Sequence, residues 1–187
     1  MKVLPTSLPG VVLLELAVAS DARGRVMETF HRDRYRAAGV ACDFVQDNFS
    51  SSVAGVLRGL HFQRARPQGK LVHVTRGAVF DVAVDLRRGS PDFARWFGAT
   101  LSADNRRQLW IPPGFAHGFV VTSAHADVVY KLSAPYDPDD DHAIRWDDPA
   151  LAIAWPRAWP GDAPVLSPRD AAAPRLADAA LPVYVAP

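Results

Sequence analysis

The sequence predicts a mainly β protein, a sandwich or jelly-roll barrel with a few short helices. Segments of about 6 to 9 residues rich in Val, Phe, Leu and Trp recur along the chain. Clusters of Pro, Gly, Asp and Ser separate them at near-regular spacing, and few stretches carry a helical period. Short strands in series without intervening helices favour two-layered or barrel architectures whose interior can hold a ligand.

Taken in order, residues 11–18 are a nearly continuous apolar run broken by Glu15, which predicts a strand buried on both faces or paired with a second subunit. Asp21-Ala22-Arg23-Gly24 has turn chemistry, residues 25–30 read as the next strand, and residues 31–39 predict one short helix stopped by Gly39. Residues 46–70 then concentrate a histidine, three arginines and a lysine in a strand-like stretch, more chemistry than a structural strand needs. Within it, residues 53–62 predict a strand, Pro67-Gln68-Gly69 a turn, and residues 70–76 the returning strand. Residues 78–86 alternate cleanly, with Phe80, Val82, Val84 and Leu86 on one face and Asp81, Ala83 and Asp85 on the other, the pattern of a half-buried strand. Gly89-Ser90-Pro91 turns the chain into strands at 95–101, 107–111, 118–122 and 127–133. Beyond Tyr136, residues 137–141 form a polar acidic loop and residues 145–155 pack on the barrel. From about 156 a Pro/Ala-rich extension follows. The 187 residues suit a single domain, with no repeat and no second core.

Composition narrows the function. A net charge of +1 offers no basic excess for a nucleic-acid backbone. No apolar run approaches the roughly 18 residues of a membrane span, and Pro5, Pro9 and Glu15 interrupt what a signal peptide needs, so a cytoplasmic protein is expected. Cys42 is the only cysteine, which excludes an intrachain disulfide and a thiolate metal cluster within one chain; between Ala41 and Phe44 it reads as a small buried thiol.

Strand alternation places Leu57, Gly59, His61 and Gln63 on one face, so His61 enters the cavity if that face looks inward. Lys70 opens the following strand, where a cation would stabilise a developing oxyanion. Arg58 has the opposite parity unless Gly59 supports a bulge. Pro112, Gly114 and His117 fit P-x-G-x-x-H, which resembles the second cupin motif. The H-x-H of the first cupin motif is absent, which leaves a three-histidine metal site to be assembled from separate strands, with His61, His73 and His117 as candidates. No metal is expected, and His117 reads as a structural or substrate-orienting residue. Tyr130 and Tyr136 frame a polar loop, and Asp170 is a late carboxylate beside Arg169. A histidine backed by a carboxylate and faced by a tyrosine makes a general base, its orienter and a general acid.

Together, Asp47-Asn48, Arg58-Gly59-Leu60-His61-Phe62-Gln63, Lys70-Leu71-Val72, Gln108-Leu109-Trp110-Ile111-Pro112, Gly114-Phe115-Ala116-His117-Gly118-Phe119, Tyr130-Lys131, Trp146-Asp147-Asp148-Pro149 and Leu166-Ser167-Pro168-Arg169-Asp170 closely resemble the dTDP-4-dehydrorhamnose 3,5-epimerase family of the cupin superfamily. The resemblance implies a cupin-type jelly-roll homodimer that uses no metal or organic cofactor and acts on dTDP-4-dehydro-6-deoxy-D-glucose. It implies His61 as base, Asp170 as its orienter, Tyr130 as proton donor and Lys70 as stabiliser of the enolate. Arg58 and Arg23 match diphosphate-binding arginines, and Glu28, Gln46, Asn48, His117 and Tyr136 match further substrate-binding positions, with Arg23 and Glu28 expected from the partner subunit. The chain departs from the family at Arg25-Val26, where aromatic residues are usual, at Arg169 in place of Lys, and in Ser133-Ala134-Pro135. Single-centre epimerisation, ketoisomerisation of another dTDP-deoxysugar, or sugar-nucleotide binding without catalysis are the competing readings.

Overall fold

The computed structural model describes residues 1–184. Two antiparallel sheets face each other. The larger runs β1(Lys2–Leu4), β2(Val12–Glu15), β10(Arg107–Ile111), β7(Lys70–Arg76), β12(His125–Leu132) and β5(Gln46–Val53). The smaller runs β13(Asp141–Ala143), β6(Leu57–Gln63), β11(Phe115–Val121), β8(Ala78–Asp85) and β9(Trp96–Ser102). A separate hairpin pairs β3(Val18–Asp21) with β4(Gly24–Met27). The sheets' edges are not joined by strand pairing, so the predicted jelly roll is a sandwich rather than a closed cylinder.

Alternation along β7 explains the layering. Val72 and Val74 point into the space between the sheets and meet Val79, Ala83, Phe115 and Phe119 of the smaller sheet. Leu71, of opposite parity, joins Leu14, Trp110 and Tyr35 on the outer face of the larger sheet. Tyr35 belongs to α1(Arg32–Ala37), a helix too short to persist alone. It is held because Tyr35 is fully buried with its hydroxyl 2.8 Å from both Thr29 O and Gln108 Oε1. Gly39, at φ +98, takes the left-handed conformation that ends the helix, as expected.

Several sequence expectations change. The run at 11–18 is cut after Glu15, because Leu16 N–H turns to Arg106 O and β3 leaves for the hairpin. The strand placed at 25–30 stops at Met27, and the one placed at 53–62 begins at Leu57, because a turn at Gly55 passes the chain from β5 in one sheet to β6 in the other. β8 alternates as predicted but is buried on both faces. The covering residues on its Val82 and Val84 face are Ile144, Leu151, Leu176, Ala179 and Leu181, so the stretch after 156 folds back onto the smaller sheet. Asp140, in the acidic loop, is buried and accepts backbone N–H bonds from Arg64, Ala65 and Arg66. Those bonds outweigh its burial and hold its carboxyl below the usual range.

Candidate active site

The site begins with an irregularity in β6. His117 on β11 pairs with His61, yet Phe119 pairs with Arg58, so two steps along β11 answer three along β6. The extra residue is a bulge at Gly59, whose φ of +110 suits a residue without a Cβ. A Cβ there would lie 2.6 Å from Gly118 Cα and from His117 O, so the close approach of the two strands also requires glycine. The bulge breaks the simple alternation from Leu57 to His61 and brings Arg58 onto the cavity side. Arg58, His61, Lys70, His117 and Tyr130 then line one cavity with Ser50 and Phe119. Asn48, Gln68, Tyr136 and Asp141 extend it past His61, Lys70 and Tyr130 toward solvent.

Asp170 stands behind His61, presented by α2(Pro168–Ala171), whose N-cap Ser167 accepts the Asp170 N–H. His61 Nε2 lies 2.5 Å from Asp170 Oδ1. Burial of Asp170 raises its pKa, but hydrogen bonding and charge from His61, with the Ser167 hydroxyl and the Gly59 backbone, outweigh it and hold the carboxyl below the usual range. Asp170 is therefore ionised near neutral pH and can only accept. Nε2 of His61 must carry the proton, and Nδ1 is left as the basic nitrogen.

A second histidine is fixed in the same way. His117 Nε2 donates to Oδ2 of the fully buried Asp81 at 2.9 Å, which orients its ring toward the cavity. The His117 and Tyr130 ring centroids are 6.4 Å apart. Lys70 is buried with Nζ 3.5 Å from His61 O. Desolvation lowers its pKa to about 8, against the opposing pull of Asp141 and Asp81. Asn48 Nδ2 donates to the Tyr130 hydroxyl at 3.4 Å, and Gln46 Nε2 donates to Asn48 Oδ1 at 2.7 Å. Gln46 itself lines a neighbouring surface groove with Phe44 and Lys131. Arg58 Nε donates to Ser52 Oγ at 3.1 Å, and its guanidinium reaches the cavity.

Of the predicted site residues, Arg23 and Glu28 are not brought to this cavity within the chain. Arg23 pairs with Asp21 in the hairpin, and Glu28 pairs with Arg34. The three-histidine set does not assemble, because His73 shares the outward parity of Leu71 on β7. Among the described residues no group of three His, Cys, Asp or Glu side chains is arranged for a metal ion. Cys42 is half-buried rather than buried; burial and then Asp43 push its thiol up to about 11, an unreactive state. Sequence reasoning missed Asp81, Asp141 and Gln68. Asp81 carried a signal, a carboxylate inside the apolar run from Val79 to Val84, whereas Asp141 was hidden beside Asp137, Asp139 and Asp140.

The dTDP-4-dehydrorhamnose 3,5-epimerase family model matches residues 5–178. A Pseudomonas aeruginosa dTDP-4-dehydrorhamnose 3,5-epimerase is 50% identical over 180 residues, covering 96% of this chain and 98% of the relative. A Neisseria gonorrhoeae protein of the same name is 51% identical over 179 residues; these cover 96% of this chain but 54% of the relative, so the chain spans about half its length. The crystal structure of dTDP-6-deoxy-D-glucose-3,5-epimerase from Legionella pneumophila Philadelphia 1, in complex with dTDP-4-keto-L-rhamnose, superposes with a TM-score of 0.94 at 48% identity and covers 99% of each chain. With a match that runs from the first strands past Asp170 and through every cavity strand, the chain belongs to the dTDP-4-dehydrorhamnose 3,5-epimerase family.

Proposed function

We propose that the protein is an isomerase that inverts carbons 3 and 5 of dTDP-4-dehydro-6-deoxy-D-glucose to give dTDP-4-dehydro-L-rhamnose, on the way to dTDP-L-rhamnose. The observation that carries this reading is His61 of the smaller sheet, backed by Asp170 of α2, in one cavity with Tyr130 and Lys70 from the larger sheet. The 4-keto group acidifies the protons on both neighbouring carbons. His61 Nδ1 removes one, the electron pair moves into an enolate, and Lys70 stabilises the enolate oxygen. Tyr130 returns a proton from the opposite face, which inverts the centre; His61 releases its proton to water and Tyr130 regains one before the process repeats at the second carbon. Arg58 and His117 bind diphosphate or sugar oxygens, while Asn48, Gln46 and Tyr136 line the nucleotide side.

The chain acts as a homodimer in this reading, with Arg23 and Glu28 delivered to the partner's cavity. Support comes from the β3–β4 hairpin, which stands apart with Val26 76% exposed, and from Phe49 and Val53 open on the outer face of β5. The described residues, 1–184, make one epimerase domain in this reading, because the stretch beyond 156 contributes both Asp170 and part of the smaller sheet's cover. Among the described residues no helix is long and apolar enough to cross a membrane. A soluble sugar-nucleotide substrate supports a cytoplasmic enzyme in this reading.

Turnover in deuterated water, followed by proton NMR, tests the reaction: label at carbons 3 and 5 is expected. Label at one carbon alone replaces the double epimerase by a single-centre enzyme, and binding without any label replaces it by a binding protein. In the same assay Tyr130→Phe keeps exchange at the carbon facing His61 but forms no inverted product.

Lys70 sets an alkaline limit. It acts as a cation, and its pKa of about 8 in the free protein means that charge is lost as pH rises through that value. Because kcat/KM reports groups of the free enzyme, it falls above about pH 8. Lys70→Met, with much lower activity, lacks this limb; an unchanged limb in that variant removes Lys70 from the role.

A further inference from the structure

The loop 133–137 between β12 and β13 carries Tyr136 to the cavity mouth without any strand pairing of its own between Ser133 and Asp137. Glutamine side chains replace the missing ladder. Gln63, 2% exposed, accepts from Asp137 N–H at 2.9 Å through Oε1 and donates through Nε2 to Arg66 O at 3.0 Å and Pro135 O at 3.4 Å. Gln68 Nε2 donates to Ala134 O at 3.0 Å, and Gln46 Oε1 accepts the Tyr136 N–H at 2.8 Å. At the near end Gly69 N–H donates to Ser133 Oγ at 2.7 Å and Ser133 N–H to Gly69 O at 3.0 Å. The Tyr136 side chain is left 47% exposed, its hydroxyl donating to Asp141 Oδ2 at 3.1 Å.

We propose that Gln63 is a positioning residue for the epimerase: its buried amide seats the 133–137 loop and thereby holds Tyr136 as the outer wall of the cavity. Gln63 does not line the cavity, so its amide acts on substrate only through the groups it holds, and two of its three hydrogen bonds go to the loop. It also lies two residues beyond His61 on β6, which gives the base and the cavity wall one common support. A glutamine suits the task because one side chain must both accept an N–H and donate to carbonyls, and a buried backbone group left without a partner is unfavourable.

This inference rests on the epimerase reading, so turnover and binding are measured separately. Gln63→Met keeps length and removes both polar functions. Its KM is expected to rise roughly tenfold with kcat within about threefold, the signature of lost uniform binding. Tyr136→Ala gives a similar rise, and the double variant is no worse than Tyr136→Ala alone. An unchanged KM, or effects that multiply, overturns the proposal. Should Gln63→Met fail to fold, Ser133→Ala, which loosens the other end of the loop through one hydroxyl, is read against Tyr136→Ala by the same criteria. Calorimetric titration with dTDP on the same variants is independent of turnover. If the wild-type protein does not epimerise, the functional reading fails, while non-additive weakening of dTDP binding still upholds the loop assignment and additive or absent weakening overturns it.

Discussion

His61→Ala abolishes solvent exchange at both carbons, with kcat falling by at least about a thousandfold, near the upper part of the range for a general base. The argument is geometric. Asp170 accepts the Nε2–H hydrogen bond at 2.5 Å, which leaves Nδ1 of His61 as its basic nitrogen in a cavity whose other walls carry Lys70, Tyr130, Arg58 and His117. Asp170→Asn separates base strength from ring orientation. An asparagine amide that donates to Nε2 selects the wrong tautomer and turns the Nδ1 proton toward substrate, an arrangement with a cost on the order of ten thousandfold in a histidine–aspartate pair of similar logic. His61 is partly open to solvent, so His61→Ala removes little packing; stability falls only by the lost hydrogen bond to the buried Asp170, about 1–3 kcal/mol. Residual exchange above one hundredth of the wild-type rate would show that another group takes the proton.

Gly59→Ala is expected to produce the largest loss of stability and to remove activity with it. The left-handed backbone costs about 1–3 kcal/mol for a residue with a side chain. The new methyl would also stand 2.6 Å from Gly118 Cα and His117 O, backbone atoms that cannot rotate away, adding roughly another 1–3 kcal/mol of overpacking. Against the typical total of about 5–15 kcal/mol for a domain, this lowers the thermal midpoint by roughly 5 to 20 °C. If the chain escapes by flattening the bulge, Arg58 loses its place beside His61 and the Gly59 contribution to Asp170 is lost. A variant with wild-type midpoint and wild-type kcat/KM, measured by thermal denaturation and steady-state assay, would contradict both arguments.

Much of the fold was legible because period-two alternation is a local property. The faces of β8, the bounds of β7 and β10 and the stop at Gly39 all follow from nearest neighbours in sequence. β5 was not separable as a strand because its pattern is inverted. Its inward residues Asn48 and Ser50 are polar and line the cavity, whereas Phe49 and Val53 face outward and exposed. A strand that borders a ligand rather than a core carries no apolar stripe on its inner face. The double burial of β8 was equally hidden, since its cover arrives from residues 144–181, far along the chain. His61, Lys70, Tyr130 and Asp170 were singled out by spacing and resemblance, but the bulge that places Arg58 beside His61 depends on register with β11, which only the folded chain displays.

The turn at Gly55, which hands the chain from one sheet to the other, divides the chemistry between two surfaces. His61 and His117 belong to the smaller sheet, and Lys70, Tyr130 and Asn48 to the larger. In the proposed reaction a sugar ring held there is a third layer, with proton removal on one side and proton return on the other. The distance that governs inversion is then the thickness of the sandwich, set by the packing of Val72, Val74, Ala83 and Phe119 well away from the reacting carbons. Stereochemistry in this protein is in that sense a dimension of the hydrophobic core, and the core residues that never touch substrate act as the spacer between its two faces.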